Sequence, residues 1–116
     1  MIRTACVAFF LFLPFAAAAQ SGCKGQSQIE LNMCAKERWK HADAALNGLW
    51  GSAKSAAETR GHGQELLDSQ RAWMRQRDTR CGKELDDGGS AADMFYWSCM
   101  EEMTAARNDQ LRAMAR

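Results

Sequence analysis

From Gln70 to Cys81 the chain reads QRAWMRQRDTRC. Around and within this run, Leu67, Met74 and Cys81 recur at seven-residue steps, which places them on one side of a helix. Gln70 and Arg77 repeat at the same step beside them. The run therefore predicts an amphipathic helix that carries polar residues next to its apolar stripe.

The rest of the chain has a composition that favours helix. After an N-terminal leader it contains no proline, no valine and one isoleucine, Ile29. Strands draw on β-branched residues, and helix interiors exclude proline. Two turn signals divide the sequence, Gly61-His62-Gly63 and Asp86-Asp87-Gly88-Gly89. Together these features predict an all-α fold, a three-helix antiparallel bundle held by two disulfides.

Local signals predict where the three helices begin and end. Ser27-Gln28-Ile29-Glu30 has the form of a capping box and predicts the start of helix 1, which we expect to end at about Glu58. Helix 2 is expected to begin at about Gln64. Ser90-Ala91-Ala92-Asp93 resembles a second capping box and predicts the start of helix 3. The predicted apolar stripe of helix 3 consists of Phe95, Cys99, Met103, Ala106, Gln110 and Met114.

Helix 1 contains two glycines in its predicted interior, Gly48 and Gly51. Glycine weakens a helix, so its presence there needs a reason. The pair predicts either a bend in helix 1 or a close approach of another helix.

The leader, Met1–Ala19, has the three parts of a secretory signal peptide. Arg3 gives the positive start, Val7–Phe15 is apolar, and Ala17-Ala18-Ala19 predicts cleavage before Gln20. The apolar part is too short to span a bilayer. We therefore expect a periplasmic or secreted protein with one domain, residues 20–116. The alternative is a lipoprotein acylated at Cys23.

Four cysteines remain after the leader, and an even number in a small exported domain predicts a disulfide framework. In the predicted hairpin, Cys34 and Cys81 lie roughly 10 Å apart along the bundle, too far for a bridge. Cys81 and Cys99 flank the Gly88 turn, and Cys23 can fold back beside Cys34. The spacing thus predicts Cys23–Cys34 and Cys81–Cys99, and no cysteine pair has the spacing of a zinc site.

Charge and residue spacing bear on the possible function classes. Without Arg3 the balance is 14 basic against 14 acidic residues, which argues against nucleic acid as a partner. Glu101-Glu102 and Asp86-Asp87 are adjacent pairs typical of solvated surface, and neither histidine has a nucleophile at a recognisable spacing. We predict no enzyme activity, no catalytic or metal-binding residue and no cofactor.

Motifs spread over the chain resemble a known family. They comprise paired cysteines, Asp-x-x-Leu-Asn at Asp43–Asn47, the run Gln70–Cys81, Gly88-Gly89-Ser90, and Thr-x-x-Arg-x-x-x-Leu at Thr104–Leu111. In this order they resemble the small exported proteins named for an LprI-like lysozyme inhibitor. The resemblance covers nearly all of the chain after the leader.

Several motif residues share helix faces with apolar positions. A buried charge is costly unless it is paired and hydrogen-bonded. We therefore interpret these residues as an interhelical polar network in which Asp43 and Asp78 pair with Arg77 or Arg107. The other predicted members are Asn47, Gln70 and Thr104.

The resemblance implies a non-enzymatic inhibitor of a peptidoglycan-cleaving enzyme, with a c-type lysozyme as the possible protein partner. A rigid turn that meets the cleft carboxylates is the expected means of inhibition. The candidate turns contain Arg60 and His62, or Gly88, Gly89 and Ser90. The alternative is a structural or envelope-stress protein that binds another envelope protein through a bundle face. An exposed aromatic stripe at Tyr96-Trp97 or at Trp39 would favour this alternative.

Overall fold

The computed structural model describes residues 23–116, which form three α-helices and one short 3-10 helix. Their bounds are Gln28–Thr59 for α1, Gly63–Gly82 for α2, Lys83–Leu85 for the 3-10 helix and Ala92–Met114 for α3. The described part of the chain contains no strand, so the prediction of an all-α three-helix fold is confirmed. The predicted signal peptide and the mature start at Gln20 lie outside the described residues.

Both ends of α1 follow from local chemistry. Ser27 Oγ accepts a hydrogen bond from the Glu30 backbone amide at 3.3 Å, and Glu30 Oε2 accepts one from the Ser27 amide at 3.0 Å. This is the predicted capping box. At the other end, the His62 amide donates to Ala57 O at 2.8 Å, and Gly61 takes a positive φ of 79° that allows the chain to reverse.

The predicted capping box at the start of α3 is wrong. The N-cap residue is Ala91, and no side chain caps the helix. Gly88 and Gly89 have φ values of 65° and 84°, and the Ala92 amide donates to Gly89 O at 3.3 Å. The turn therefore extends through Ser90, and the N-cap is one residue later than the sequence pattern predicted. Ser90 therefore lies in the turn, where its hydroxyl cannot act as the cap.

The inward faces of α2 and α3 differ in part from the predicted stripes. Met74 is 41% exposed and Phe95 is 53% exposed, although both were expected to face inward. Polar residues occupy some of the inward positions instead. The helix face that was predicted from apolar residues alone therefore differs from the face that packs in the interior. The buried residues of α2 are Leu66, Gln70, Arg77 and Cys81, and those of α3 are Ala92, Met100, Thr104, Arg107, Asn108 and Leu111.

The apolar core lies toward the α1–α2 turn. Its buried residues are Leu46, Ala53, Leu66 and Leu111, with Trp50 and Trp73 partly buried against them. Gly48 and Gly51 do not contribute, because both are exposed and nothing lies within 4 Å of the place where a Cβ would stand. The predicted close helix approach at these glycines is therefore wrong, and α1 continues through both.

Hydrogen bonds between helices give the chain path. Near its start α1 contacts the start of α3, where Asn32 Nδ2 donates to Ser90 O at 2.9 Å. Further along, Asn108 Nδ2 donates to Ala42 O at 3.0 Å, so α1 and α3 run side by side in the same direction. Arg107 contacts Gln70, and α2 runs back in the opposite direction, packed against both α1 and α3.

Both predicted disulfides are present. The Cα atoms of Cys23 and Cys34 are 5.3 Å apart, and those of Cys81 and Cys99 are 5.5 Å apart. The first bridge holds the residues before α1 against its first turns. The second joins the end of α2 to α3 across the 3-10 helix and the Gly88 turn.

Candidate functional site

Arg107 lies in the bundle interior with neutral hydrogen-bond partners. It is 5% exposed, and its Nε donates to Gln70 Oε1 at 2.8 Å. Its Nη atoms donate to Gln110 Oε1 at 2.9 Å and to Ser69 Oγ at 3.3 Å. Burial lowers the pKa of the Arg107 guanidinium from its ordinary value, because desolvation disfavours the charged form.

Two guanidinium groups lie near the ring of Trp73. The Cζ of Arg77 is 4.9 Å from the centroid of this ring, and the Cζ of Arg107 is 5.9 Å away. Arg77 Nε also donates to Asp78 Oδ1 at 2.9 Å, although the Asp78 side chain is 59% exposed. The electron-rich face of the indole ring attracts both guanidinium cations. This attraction offsets part of the hydration that the two cations lose on burial.

The remaining predicted network residues are divided between the interior and the surface. Thr104 is fully buried, whereas Asn47 is exposed and lies outside the cluster. Asp43 is half-buried and makes no side-chain hydrogen bond or ion pair within residues 23–116. The predicted pairing of Asp43 with Arg77 or Arg107 is therefore wrong, because neutral oxygens surround Arg107 and Asp78 pairs with Arg77.

Asn108 is a buried polar residue that sequence reasoning missed. It bonds to Ala42 O, and its Oδ1 and the Oγ1 of Thr104 lack a hydrogen-bond partner among the described residues. The sequence feature that could have predicted the burial of Asn108 is its position one helical turn from both Thr104 and Leu111. From the sequence alone, however, a polar residue at that position is expected to face solvent. Because these polar residues are buried, they are not accessible at the surface of the bundle.

The first candidate turn, between α1 and α2, makes contacts within the protein. Arg60 donates to Met114 O at 3.3 Å and to Arg116 O at 2.6 Å, which satisfies carbonyls at the end of α3. His62 Nδ1 lies 3.1 Å from Glu65 Oε2. A cavity of about 300 Å³ borders this turn. The Arg60 guanidinium is therefore already engaged.

The second candidate turn projects from the opposite end of the bundle. Gly88, Gly89 and Ser90 are all exposed. Within residues 23–116, the only side-chain hydrogen bond to this turn is the one that Asn32 Nδ2 donates to Ser90 O. The absence of a side-chain cap on α3 leaves backbone amides of the turn and first helical residues without a side-chain acceptor.

An aromatic groove adjoins this second turn. The ring centroids of Trp97 and Trp39 are 4.8 Å apart, and Tyr96 packs edge-on at 4.7 Å from Trp97. All three rings are half-buried, so the exposed stripe that would favour the alternative function is present only in part. The groove encloses about 480 Å³. Its lining residues are Asn32, Met33, Lys36, Leu85, Asp93, Tyr96 and Trp97.

The second turn and the groove lie in an acidic part of the chain. Residues 83–93 contain four acidic side chains and one lysine, although the chain after the leader is neutral overall. This segment is therefore acidic, which the net charge of the whole chain conceals.

Within 23–116, no group of three or more His, Cys, Asp or Glu side chains is arranged to hold a metal ion. None of the helices in this part of the chain is long and apolar enough to cross a membrane.

Comparison with known proteins gives the family. The family model described as "Lysozyme inhibitor LprI" matches residues 19–111, which include all four paired cysteines and the run Gln70–Cys81. An uncharacterised protein of Rhizobium meliloti (strain 1021) is 31% identical over 106 residues, covering 78% of this chain and 76% of the relative. No solved structure matches the chain. Since the family match extends over most of the sequence and over the whole disulfide-bonded bundle, the chain belongs to the LprI lysozyme inhibitor family.

Proposed function

We propose that this protein is exported and acts, without catalysis, as an inhibitor of a lysozyme-type peptidoglycan-cleaving enzyme. Membership in a family of lysozyme inhibitors supports the class of activity. Two disulfides in a domain of this size are typical of proteins that work outside the cytoplasm. The periplasm, or the medium if the protein is secreted, is the corresponding location.

The leader and the first disulfide agree with this location. Met1–Ala19 has the composition of a cleaved signal peptide, with Gln20 as the first mature residue. Cys23 is bonded to Cys34, so its sulfur is engaged and cannot also carry a lipid. The proposal is therefore a soluble exported protein rather than a lipoprotein.

Inhibition is assigned to the turn at Gly88, Gly89 and Ser90. The observation that carries this assignment is the exposed turn followed by an uncapped helix. A lysozyme cleft contains two catalytic carboxylates. The Gly88 amide already donates to Leu85 O, but the amides of Gly89 and Ser90 donate to no other described residue and are suitable donors to those carboxylates. The disulfide between Cys81 and Cys99 closes the segment that carries the turn, which limits the entropy that binding must remove.

The other candidate turn fits the proposal less well. Arg60 was attractive as a basic donor, but its guanidinium bonds to the carbonyls of Met114 and Arg116. Use of Arg60 by a partner would leave those carbonyls without their donor.

A lysis assay with a c-type lysozyme tests the proposal. The mature oxidised protein should slow lysis of peptidoglycan, and Ser90→Glu should weaken inhibition by roughly tenfold or more, because a carboxylate at the tip of the turn is repelled by the two carboxylates of the cleft. Ser52→Glu, at an exposed position in the last third of α1, is the matched control and should inhibit like the wild type. Both variants must retain the wild-type melting temperature.

The outcomes separate the alternatives. No inhibition at micromolar concentration would remove the proposal for c-type lysozymes. Equal inhibition by Ser90→Glu and Ser52→Glu would keep the activity but move the site away from the turn. Capture of another envelope protein without inhibition would support a structural or envelope-stress function instead.

A further inference from the structure

The groove beside the second turn combines features that suit a long cationic side chain. The Nζ of Lys36 lies 5.3 Å from the centroid of the Trp97 ring, so this ring already attracts a cation. Trp39 supports Trp97 from within the bundle. Met33 and Leu85, which are 63% and 43% exposed, provide apolar walls in the same groove.

Asp93 adds a carboxylate to the groove. It is exposed and lies in the first turn of α3, and within residues 23–116 it makes no ion pair and no side-chain hydrogen bond. The other polar lining residue, Asn32, is satisfied, since it donates to Ser90 O and accepts from Gln28 Nε2 at 2.9 Å. The groove therefore offers one unpaired anionic group beside an aromatic surface.

An arginine side chain matches this arrangement better than other groups. Its planar guanidinium stacks on an aromatic ring and bonds to a carboxylate, while its methylene stem packs on apolar walls. An anion would meet Lys36 favourably but would be opposed by Asp93. A purely apolar side chain would leave Asp93 without compensation for its desolvation.

We propose that this groove, lined by Asp93, Tyr96 and Trp97, receives an arginine side chain of a basic protein partner and that Lys36 is displaced from Trp97 when it binds. The partner would be a cationic lysozyme, and this identification is the one part of the proposal that rests on the proposed function. The four acidic residues between positions 83 and 93 give the surface the complementary charge. Through Asn32, the groove is joined to the turn assigned to the cleft.

The first test uses N-acetyl-L-arginine N-methylamide and the oxidised mature protein, with indole N–H signals followed by NMR. The Trp97 signal, assigned from Trp97→Phe, should shift in a titration with an affinity on the order of millimolar. The Trp50 signal should stay in place, because Trp50 lies in the apolar core away from the groove. N-acetyl-glycine N-methylamide is the uncharged control ligand and should leave both signals unchanged.

Two variants should change this affinity in opposite directions. Asp93→Asn should weaken binding by about threefold or more through loss of the carboxylate, and Lys36→Gln should strengthen it about twofold or more by removing the competing cation. The matched controls are Asp68→Asn on α2 and Lys54→Gln on α1, which make the same charge changes outside the groove. Both controls should bind like the wild type.

If the Trp97 signal did not shift, the assignment of the groove as an arginine site would be overturned. Weaker binding by Lys36→Gln would overturn it as well and would indicate that the groove binds an anionic ligand. The same variants then go into the lysis assay. A Trp97 shift without inhibition of lysozyme would refute the proposed function and support the groove assignment. Inhibition that is identical in wild type, Asp93→Asn and Lys36→Gln would support the function and overturn arginine docking.

Discussion

Arg107 on α3 and Gln70 on α2 are joined in the bundle interior by a hydrogen bond of 2.8 Å from Nε to Oε1. Both side chains are buried, and the other donors of Arg107 go to neutral oxygens as well. A buried cation with neutral partners keeps its hydrogen bonds but has little direct compensation of its charge. The pair therefore fixes how α2 and α3 align and makes the fold sensitive to either residue.

Gln70→Leu should destabilise the bundle by about 1–3 kcal/mol. The change leaves the Nε of Arg107 without an acceptor in the interior, and a buried donor without a partner loses its hydration energy. Urea denaturation of the oxidised protein measures the loss. Gln76→Leu, at an exposed position on the same helix, is the control and should change stability by less than about 0.5 kcal/mol. Equal effects of the two changes would show that the Gln70–Arg107 bond does not matter to stability.

Arg77→Ala and Asp43→Ala should differ in effect, although both were expected to belong to one ion-pair network. Arg77 packs on Trp73 with an almost buried stem, so its removal should cost about 1–3 kcal/mol. Asp43 has no polar partner among the described residues, so its removal should cost less than about 1 kcal/mol. Thermal unfolding of both variants is the measurement. A larger loss for Asp43→Ala would mean that this carboxylate has a partner that the structure does not contain.

The contrast between Ser27 and Ser90 shows how far sequence reasoning reaches. Both begin capping-box patterns, but only Ser27 caps a helix, because the turn through Gly88 and Gly89 extends past Ser90. Whether the serine caps the helix depends on the conformation of the backbone that precedes it. The four-residue capping-box pattern carries no information about that conformation. The cysteine pairing, by contrast, depended on chain reach and helix length, which spacing determines well.

Polar interior residues were the main source of error in the predicted helix faces. Thr104 and Arg107 were assigned to the interior through family motifs, but Asn108 beside them belongs to no such motif and was missed. Its partner, the carbonyl of Ala42, is a backbone group that carries no sequence signal. The aromatic groove was anticipated only as an exposed stripe at Tyr96-Trp97 or at Trp39, since Met33 and Leu85 reach the groove from other positions.

The two disulfides should be reduced at different rates. Cys23 is exposed, whereas Cys81 is fully buried, so a thiol reagent reaches the first bridge without unfolding of the bundle. Arg38 Nη1 lies 2.9 Å from Cys23 Sγ, where its charge stabilises the departing thiolate. Timed alkylation after addition of a dithiol, followed by peptide mapping, should find Cys23 and Cys34 labelled first. Arg38→Gln should slow that step, and simultaneous labelling of all four cysteines would contradict the order.

Acid should weaken the start of α1 through Glu30. The hydrogen bonds that Glu30 accepts from the Ser27 backbone amide and hydroxyl lower the pKa of this carboxyl below its ordinary value. Because the pKa of Glu30 is lowered in the folded state, the charged carboxylate stabilises the fold at any pH above the ordinary carboxyl pKa. This stabilisation is lost as the pH falls through the lowered pKa. Protection factors for amide exchange at the start of α1, which are corrected for the intrinsic exchange rate at each pH, should fall on acidification in the wild type but not in Glu30→Gln. Identical profiles would exclude a stabilising role for the charged carboxylate.

The double variant Arg60→Ala with His62→Ala should change the end of α3 and leave inhibition intact. Arg60 supplies donors to the carbonyls of Met114 and Arg116, and without it the last turn of α3 should fray. Hydrogen exchange should therefore accelerate near Leu111 and beyond, while the start of α3 keeps its protection. In the lysis assay the variant should match the wild type, because the turn at Gly88 lies at the other end of the bundle. Loss of inhibition with unchanged exchange would place the partner on the α1–α2 turn, and the assignment of the cleft contact to Ser90 and its neighbours would then have to be abandoned.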